Sequence, residues 1–253
     1  MLLLSAENIT LIKDRKTLVR DASFGLQSGQ LTALLGPNGA GKSSLLKAAT
    51  GIVKVSSGTV KIGGKNVSTL SAMERARKLA YLPQVRELAW PSRVRDVVAL
   101  GRYPYGVCTS RPVASDANAI NKALAACDLS TLETRSCDTL SGGELARVHC
   151  ARALASEAPV LIADEPTAAL DPRHAFEIMA LLQAHARRGG AALVVLHDVA
   201  LAARYADQLI WMQHGQIVAN GRVEETLTEN RMADIFRVRA RVMEREVTLL
   251  GPI

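Results

Sequence analysis

The sequence predicts an α/β fold, and three observations support this prediction. Short apolar segments of strand length alternate with helical stretches, which is typical of a mainly parallel sheet covered by helices. A glycine-rich loop stands between one such strand and the helix that follows it. Between about residues 85 and 155 the strand signal disappears while helical patterns continue. We therefore expect an α/β core with a helical subdomain inserted into it.

The first part of the chain is predicted to contain strands on both sides of the glycine-rich loop. Residues 3–12 and 18–24 have the composition of an antiparallel strand pair, and residues 59–62 continue this pattern. The apolar run Leu31–Leu35 indicates a buried strand directly before the loop. Residues 42–50 follow as a helix, which the next residue, a glycine, is expected to end.

The later part of the chain continues the alternation. Strands are predicted at residues 160–163 and 193–196, and helices at residues 115–127, 144–155, 173–188 and from residue 199 to 205. The predicted organisation is one domain over residues 1–253. Its core consists of residues 1–84 and 156–253, and its helical subdomain consists of residues 85–155.

Composition excludes several classes of protein. Of the 253 residues, 48% are hydrophobic and 22% charged, so the chain can bury a large core and is not a disordered tail. Apolar runs such as residues 191–196 are far shorter than the ~20 residues that span a bilayer, and the N-terminal residues 1–4 lack the basic flank of a signal peptide. Four cysteines without a C-x-x-C pair argue against a zinc or disulfide framework. We expect a cytoplasmic chain with reduced cysteines.

The net charge of +7 invites a nucleic-acid interpretation, but the distribution of that charge argues against it. Residues 75–111 contain eight basic and two acidic residues, so almost the whole excess lies in one segment. We therefore expect no nucleic-acid partner and a localised basic surface instead.

A phosphate-binding loop is the strongest chemical signal. The segment GPNGAGKS matches the pattern G-x-x-x-x-G-K-[ST], with a strand before it and a helix after it. Loop amides and the positive end of the helix would bind phosphate oxygens, Lys42 would pair with the β- and γ-phosphates, and the Ser43 hydroxyl would bind Mg²⁺. The predicted nucleotide contacts are Gly36, Pro37, Asn38, Gly39, Ala40, Gly41, Lys42, Ser43 and Ser44.

Acidic and imidazole groups follow two further apolar strands. Asp164 and Glu165 come directly after one strand, at the end where ligands of parallel sheets bind. Asp164 is predicted to hold Mg²⁺, and Glu165 to act as the general base that polarises an attacking water. His197 follows the other strand and is predicted to lie beside the phosphates. Gln84 follows a Tyr-Leu-Pro sequence and is a weaker candidate from composition alone.

A second anion-binding pattern stands at a helix start, in the sequence Leu140-Ser141-Gly142-Gly143-Glu144. Its small residues leave backbone N–H groups free, and the helix dipole adds positive potential. This pattern and the phosphate loop need not meet within one chain. Two chains placed head-to-tail could instead present each pattern to the nucleotide of the other.

In order and spacing, these motifs resemble the ATP-binding subunits of ABC transporters over about residues 3–220. The corresponding motifs are Walker A at Gly36 to Ser43, the Q-loop at Gln84, the signature at Leu140 to Glu144, Walker B ending at Asp164 and Glu165, the D-loop at Ala169 to Asp171 and the switch histidine at His197. The resemblance implies a P-loop NTPase core with an N-terminal antiparallel β-subdomain and an inserted helical subdomain. It also implies ATP and Mg²⁺ as cofactors, and a homodimer that holds ATP between Walker A of one subunit and the signature of the other.

The same resemblance implies site residues beyond the phosphate loop. Nucleotide contacts are expected from Ser141, Gly142, Gly143, Glu144 and Asp171, metal contacts from Ser43, Gln84 and Asp164, and catalytic roles for Glu165, His197 and Gln84. One departure concerns the base. The family often stacks adenine on an aromatic residue near position 13, but residues 10–15 contain none. ATP remains the expected nucleotide, with an aliphatic or cationic contact to the base.

The Q-loop and the residues after it resemble the importers of iron chelates (siderophores), haem and cobalamin. The resemblance lies in Tyr81-Leu82-Pro83-Gln84, Trp90-Pro91, Val94-Arg95-Asp96-Val97-Val98 and Gly101-Arg102-Tyr103-Pro104. It implies two copies of a polytopic membrane permease, indirect contact with a substrate-binding protein, and a peripheral location at the cytoplasmic face of the bacterial inner membrane. We expect the basic segment, with Trp90, Tyr103 and Tyr105, to form the docking surface. The alternative is a soluble ABC ATPase of iron–sulfur cluster assembly or another non-transport role.

Overall fold

The computed structural model describes residues 1–84, 91–106 and 114–253. The strands are β1 (Leu2–Lys13), β2 (Lys16–Gln27), β3 (Leu31–Leu35), β4 (Ser57–Ile62), β5 (Lys65–Asn66), β6 (Leu79–Leu82), β7 (Val160–Asp164), β8 (Ala191–Val195), β9 (Gln208–Gln213), β10 (Gln216–Arg222), β11 (Val238–Met243) and β12 (Glu246–Pro252). The α-helices are α1 (Lys42–Ala49), α2 (Ala72–Ala76), α3 (Val94–Ala99), α4 (Ala114–Ala126), α5 (Gly142–Ala155), α6 (Pro172–Arg187), α7 (Val199–Tyr205), α8 (Val223–Thr226) and α9 (Glu229–Phe236).

The core sheet has the strand order β10-β9-β3-β8-β7-β6, and every neighbouring pair except β9 and β10 is parallel. Strands β3, β7 and β8 are buried at every residue. Continuous apolar runs suit such strands because helices cover both faces of a parallel sheet. The predicted α/β class is confirmed. The carboxyl ends of β3, β8, β7 and β6 meet at one edge, so the loops that follow these strands lie together.

The predicted N-terminal antiparallel pair is also confirmed, within a sheet of order β2-β1-β4-β5. Its strands alternate buried and exposed residues, as expected for a sheet with one face in the core. The buried face packs on α1 and the core sheet through Ile9, Leu26, Leu46, Ile62 and Val195. This packing fixes the phosphate-loop helix between two sheets.

Between β6 and β7 the described residues form helices joined by turns and loops, and they contain no strand apart from one isolated bridge between Arg93 and Ser136. Helices α3, α4 and α5 share a buried cluster that includes Val97, Ile120 and Val148. Cys127, Cys137 and Cys150 are buried, while Cys108 lies outside the described residues. Burial raises the pKa of the Cys127 thiol, so it packs as a neutral group. In the described ranges no helix is both long and apolar enough to cross a membrane.

A buried ion pair between Arg102 and Asp116 joins the residues that follow α3 to helix α4. The Arg102 side chain is 5% exposed and donates from Nε to Asp116 at 2.8 Å, while Asp116 itself is 4% exposed. Arg102 also donates to the carbonyl of Ala155 and to Glu157, each at 2.9 Å. The Tyr105 ring lies over its guanidinium at 3.9 Å, and the Tyr105 hydroxyl donates to the carbonyl of Ser156 at 2.9 Å. Arg102 therefore connects the residues that follow α3 to α4 and to the end of α5.

Replacing Arg102 with Met should lower the free energy of unfolding by about 3–5 kcal/mol, because Asp116 would remain buried without its partner. Lys61→Gln is the control, since its ion pair with Glu7 is exposed and long at 3.8 Å, and such pairs contribute about 0–1 kcal/mol. Denaturant unfolding measures both. Equal midpoints for the two variants would contradict a structural role for the Arg102 ion pair.

Candidate functional site

The phosphate loop connects β3 to α1, as predicted, and its glycines are favoured by a left-handed backbone or by close backbone contacts. Gly39 and Gly41 have φ of 77° and 100°, in the left-handed region that favours glycine. A Cβ atom on Gly41 would lie 2.5 Å from the carbonyl oxygen of Leu18. Gly41 is the N-cap of α1 and provides no side-chain cap, so the first amides of the helix face the loop.

Lys42 reaches back across the loop instead of extending into solvent. Its ammonium donates to the carbonyl oxygens of Gly36 at 2.8 Å and Pro37 at 3.0 Å. The residue is only 6% exposed. Burial lowers the pKa of the Lys42 ammonium, and the nearby carboxylates of Glu165 and Asp164 oppose this shift. The cation is thus held at the loop with part of its hydration removed, which strengthens its attraction to an anion.

A pocket of about 480 Å³ opens above the loop. The predicted contacts that line it are Asn38, Gly39, Ala40, Gly41, Lys42, Ser43 and Ser44. Gly36 and Pro37 do not line the pocket, and their carbonyls accept from Lys42, so the prediction of direct contact is weakest for these two. Glu165 also lines the pocket, and Thr17, Leu18, His214 and Gly215 complete its wall. The sequence offered no signal for these last residues.

Ser43 and Asp164 are adjacent, as expected for ligands of one ion. The Ser43 hydroxyl donates to Asp164 Oδ1 at 3.3 Å. Neighbouring ligands of an octahedral Mg²⁺ ion lie ~3 Å apart, and this ion prefers hard oxygen donors, so the pair fits a magnesium site. In the described parts of the chain no cluster of three His, Cys, Asp or Glu residues could hold a metal. Magnesium at nucleotide sites commonly takes only one or two protein ligands and completes its shell with phosphates and water.

Tyr81 is a neighbour of Asp164 that sequence reasoning did not select. Its hydroxyl donates to Asp164 Oδ2 at 3.4 Å. Burial, followed by the charge of Asp164, raises the pKa of Tyr81 to about 12, so the hydroxyl remains a donor at neutral pH. Burial also raises the pKa of the Asp164 carboxyl, while hydrogen bonds from Ser43 and Tyr81 oppose this shift. Tyr81 therefore helps to keep Asp164 ionised and oriented.

The predicted catalytic residues come together around Glu165. Gln84 Nε2 donates to Glu165 Oε2 at 2.6 Å, and His197 Nε2 lies 2.6 Å from Glu165 Oε1. Both carboxylate oxygens therefore have a partner. The backbone of Glu165 is left-handed, with φ of 50°, which is a strained conformation for a residue with a side chain and is common at functional sites. The loops after β6, β7 and β8 thus bring the side chains of Gln84, Glu165 and His197 into contact.

Ser141 begins α5 with a capping box. The backbone N–H of Ser141 donates to Glu144 Oε2 at 2.8 Å, and the N–H of Glu144 donates to the Ser141 hydroxyl at 3.3 Å. Two of the N–H groups expected to bind an anion are therefore already used. The amides of Gly142 and Gly143 and the hydrogen of the Ser141 hydroxyl remain suitable donors. Within the described ranges, none of Ser141, Gly142, Gly143 and Glu144 lines the phosphate-loop pocket.

Asp171 is the N-cap of α6 and connects it to the signature segment. Its carboxylate accepts from the backbone N–H of His174 at 3.0 Å and lies 2.7 Å from His174 Nδ1. The His174 ring occupies the space beside Gly143, where a Cβ atom would lie 2.4 Å from the ring. The structure therefore gives Asp171 a capping role, and its predicted contact with nucleotide remains a prediction. His174 was not identified from the sequence.

The phosphate loop, the adjacent serine and aspartate, and the carboxylate at the strand ends define a P-loop ATPase. The family model described as ABC transporter matches residues 19–168. The chain belongs to the ABC transporter family, and it is an ATP-binding, ATP-hydrolysing member of that family.

Sequence similarity to known proteins extends over almost the whole chain. A hemin import ATP-binding protein, HmuV, from Pseudomonas entomophila is 40% identical, with 93% of each chain covered. A protein of the same name from Rhodococcus jostii is 37% identical over 97% of this chain and 83% of its own. Among solved structures, the ADP conformation of an ATP-binding cassette of an ABC transporter superposes with a TM-score of 0.84 at 25% identity, covering 93% of this chain and 98% of the other.

Proposed function

We propose that this chain is the ATP-hydrolysing subunit that energises import of haem through a separate membrane permease. The observation that carries the proposal is the 40% identity to a hemin import subunit over 93% of both chains. In this proposal the subunit is a homodimer at the cytoplasmic face of the bacterial inner membrane. It binds two copies of the permease and meets a substrate-binding protein only through them.

The site residues then divide the work of hydrolysis. Mg²⁺ bound by Ser43 and Asp164, with Gln84 as the further expected contact, would neutralise phosphate charge. Lys42 and the loop amides bind the β- and γ-phosphates. Glu165 accepts the proton of the attacking water. Gln84 and His197 hold the two carboxylate oxygens of Glu165 in a fixed orientation. We also propose that the His197 ring, which contacts Glu165, holds the γ-phosphate in line with that water.

A second copy completes this site in our proposal. The signature residues Ser141, Gly142 and Gly143 have donors suited to a phosphate, yet they lie outside the pocket that the phosphate loop of the same chain forms. A head-to-tail dimer would bring them to the nucleotide of the partner. We propose that the helical segment, residues 85–155, is the subdomain that carries them there, and that Asp171 contacts the same interface.

The permease contact is proposed for an exposed stripe formed by Arg93, Asp96, Leu100 and Tyr103, which we call the α3 stripe. These residues follow a helical spacing and all four are exposed. Leu100 is 47% and Tyr103 65% exposed, which leaves apolar surface without cover. Aromatic and apolar anchors of this kind dominate binding energy at interfaces. The stripe follows Gln84 in the chain. Permease binding at the stripe could therefore be transmitted through Gln84 to the hydrolytic site.

The structure corrects the expected composition of this surface. Arg102 is buried, so its assignment to a basic surface is wrong. Arg95 is paired with Glu133 at 2.7 Å, and Tyr105 packs on Arg102. Trp90 lies outside the described residues, as do the basic residues at positions 86 and 111. In the described residues this surface is therefore mixed in character, because apolar anchors stand beside cations that remain exposed, such as Arg77 and Arg93.

Changing Leu100 and Tyr103 together to Glu should reduce co-purification with the permease by about tenfold or more, because charge would replace the central apolar anchors. ATP binding by the isolated subunit should stay unchanged, since neither side chain lines the phosphate-loop pocket. Val218→Glu is a matched control, because Val218 on β10 is also 47% exposed. Undiminished permease capture by the double variant would contradict docking at the α3 stripe.

Transport in vesicles tests the proposed function. The subunit and its permease, reconstituted together, should take up haem in an ATP-dependent manner and should not take up an iron–siderophore or cobalamin. Uptake of one of those chelates in place of haem would contradict the substrate. Co-purification with a soluble iron–sulfur scaffold, and not with a permease, would contradict a transport role.

A further inference from the structure

The phosphate-loop pocket extends beyond the residues that contact phosphate. On one side β2 contributes Thr17 and Leu18, and on the other the turn between β9 and β10 contributes His214 and Gly215. These residues belong to other elements and not to the loop motif, and the mechanism proposed above gives none of them a role in hydrolysis. They line the part of the pocket that the loop motif itself does not form.

The turn that carries His214 is fixed directly to the phosphate loop. The backbone N–H of Gly215 donates to the carbonyl of Ala40 at 2.9 Å, and the carbonyl of Gly215 accepts from the N–H of Arg20 at 2.8 Å. A Cβ atom on Gly41 would lie 3.5 Å from the Cα of Gly215. These contacts place the backbone of His214 at a defined position beside the loop.

The backbone of His214 is left-handed, with φ of 48°. Residues other than glycine rarely adopt this region, but asparagine, aspartate and histidine are enriched in it. The imidazole is exposed at the pocket rim. Among the described residues that line this pocket, His214 is the one with an aromatic ring, and Leu18, on β2, has a partly buried aliphatic side chain that also packs on the core.

We propose that His214 and Leu18 form the wall against which the base of the bound nucleotide stacks. This proposal rests on the phosphate site described above and adds the base to it. Flat bases stack on aromatic rings and apolar side chains without hydrogen-bond readout, so such a wall discriminates poorly between purines. It would explain how the chain binds ATP although residues 10–15 contain no aromatic residue.

Titration with two ligands separates the base contact from the phosphate contact. His214→Asn removes the ring and keeps a residue that tolerates the left-handed backbone. We expect this variant to bind Mg-ATP about five- to tenfold more weakly, because one stacking surface is lost, and to bind Mg-tripolyphosphate as the wild type does. Mg-GTP should bind the wild type within about threefold of Mg-ATP.

Gln216→Ala is the control, because Gln216 is exposed on the other side of Gly215 in the same turn. It should leave both affinities unchanged. Wild-type ATP affinity in His214→Asn would overturn the proposal, and so would an equal loss of ATP and tripolyphosphate affinity, which would mean that the turn acts on the loop. Wild-type protein that bound neither ligand would overturn the phosphate site itself, and the base wall with it.

Discussion

Replacing Glu165 with Gln should lower ATP turnover by about 10²–10⁴-fold and leave ATP affinity close to that of the wild type. Gln keeps the size of the side chain and an oxygen that can accept from Gln84 or His197, which lie 2.6 Å from the carboxylate. It removes only the group that accepts the proton of the attacking water. ATP should therefore accumulate on the protein in a stable dimer.

Lys42→Ala is the comparison variant for this prediction. Lys42 interacts with phosphate before and during the reaction, so its loss should weaken ATP binding itself. Equilibrium binding and phosphate release, measured side by side, separate the two effects. Turnover at the wild-type rate in the Glu165→Gln protein would mean that another group is the base.

The second large effect is expected from Ser141→Arg, which should reduce hydrolysis to background and leave nucleotide binding by one chain intact. Ser141 does not line the pocket of its own phosphate loop, so the bulky cation should not disturb that pocket. It would instead occupy the space between the signature segment and the nucleotide of a partner. Loss of the helix cap should cost only about 1 kcal/mol, which is too little to unfold the chain.

The chain contains a matched control for the loss of the cap. Ser71 begins α2 with the same arrangement, in which the Glu74 N–H donates to the serine hydroxyl and the Ser71 N–H donates back to the glutamate. Ser71→Arg therefore removes an equivalent capping box away from the signature segment. We expect it to hydrolyse ATP at the wild-type rate. Hydrolysis lost equally in both variants would assign the effect to folding and not to the site.

Much of the site could be predicted because parallel strands bring their carboxyl ends to one edge. The apolar runs of β3, β7 and β8 are buried at every residue, so their ends located the phosphate loop, Glu165 and His197 correctly. The contact between Ser43 and Asp164 followed from the same logic. In each of these cases a local pattern determined both the element and the direction in which the chain leaves it.

The remainder depends on contacts between distant parts of the chain. Strand β6 has only four residues and becomes a strand by pairing with β7, so its local pattern is too short to recognise. Arg102 looks like a surface cation until its partner Asp116 is placed beside it by the packing of α4. His214 lies in a turn whose sequence says nothing about the phosphate loop, and its place there depends on long-range contacts such as the hydrogen bond from Gly215 to Ala40.

The central claim is that two copies of this chain form each hydrolytic site, and mixing two inactive variants tests it most directly. Lys42→Ala disables the phosphate loop, and Ser141→Arg disables the signature, so each variant alone should be inactive. In a mixed head-to-tail dimer, one site joins an intact phosphate loop to an intact signature from the other chain. We expect the mixture to hydrolyse ATP well above the sum of the separate variants. A mixture as inactive as its components, although mixed dimers are present, would contradict the shared site.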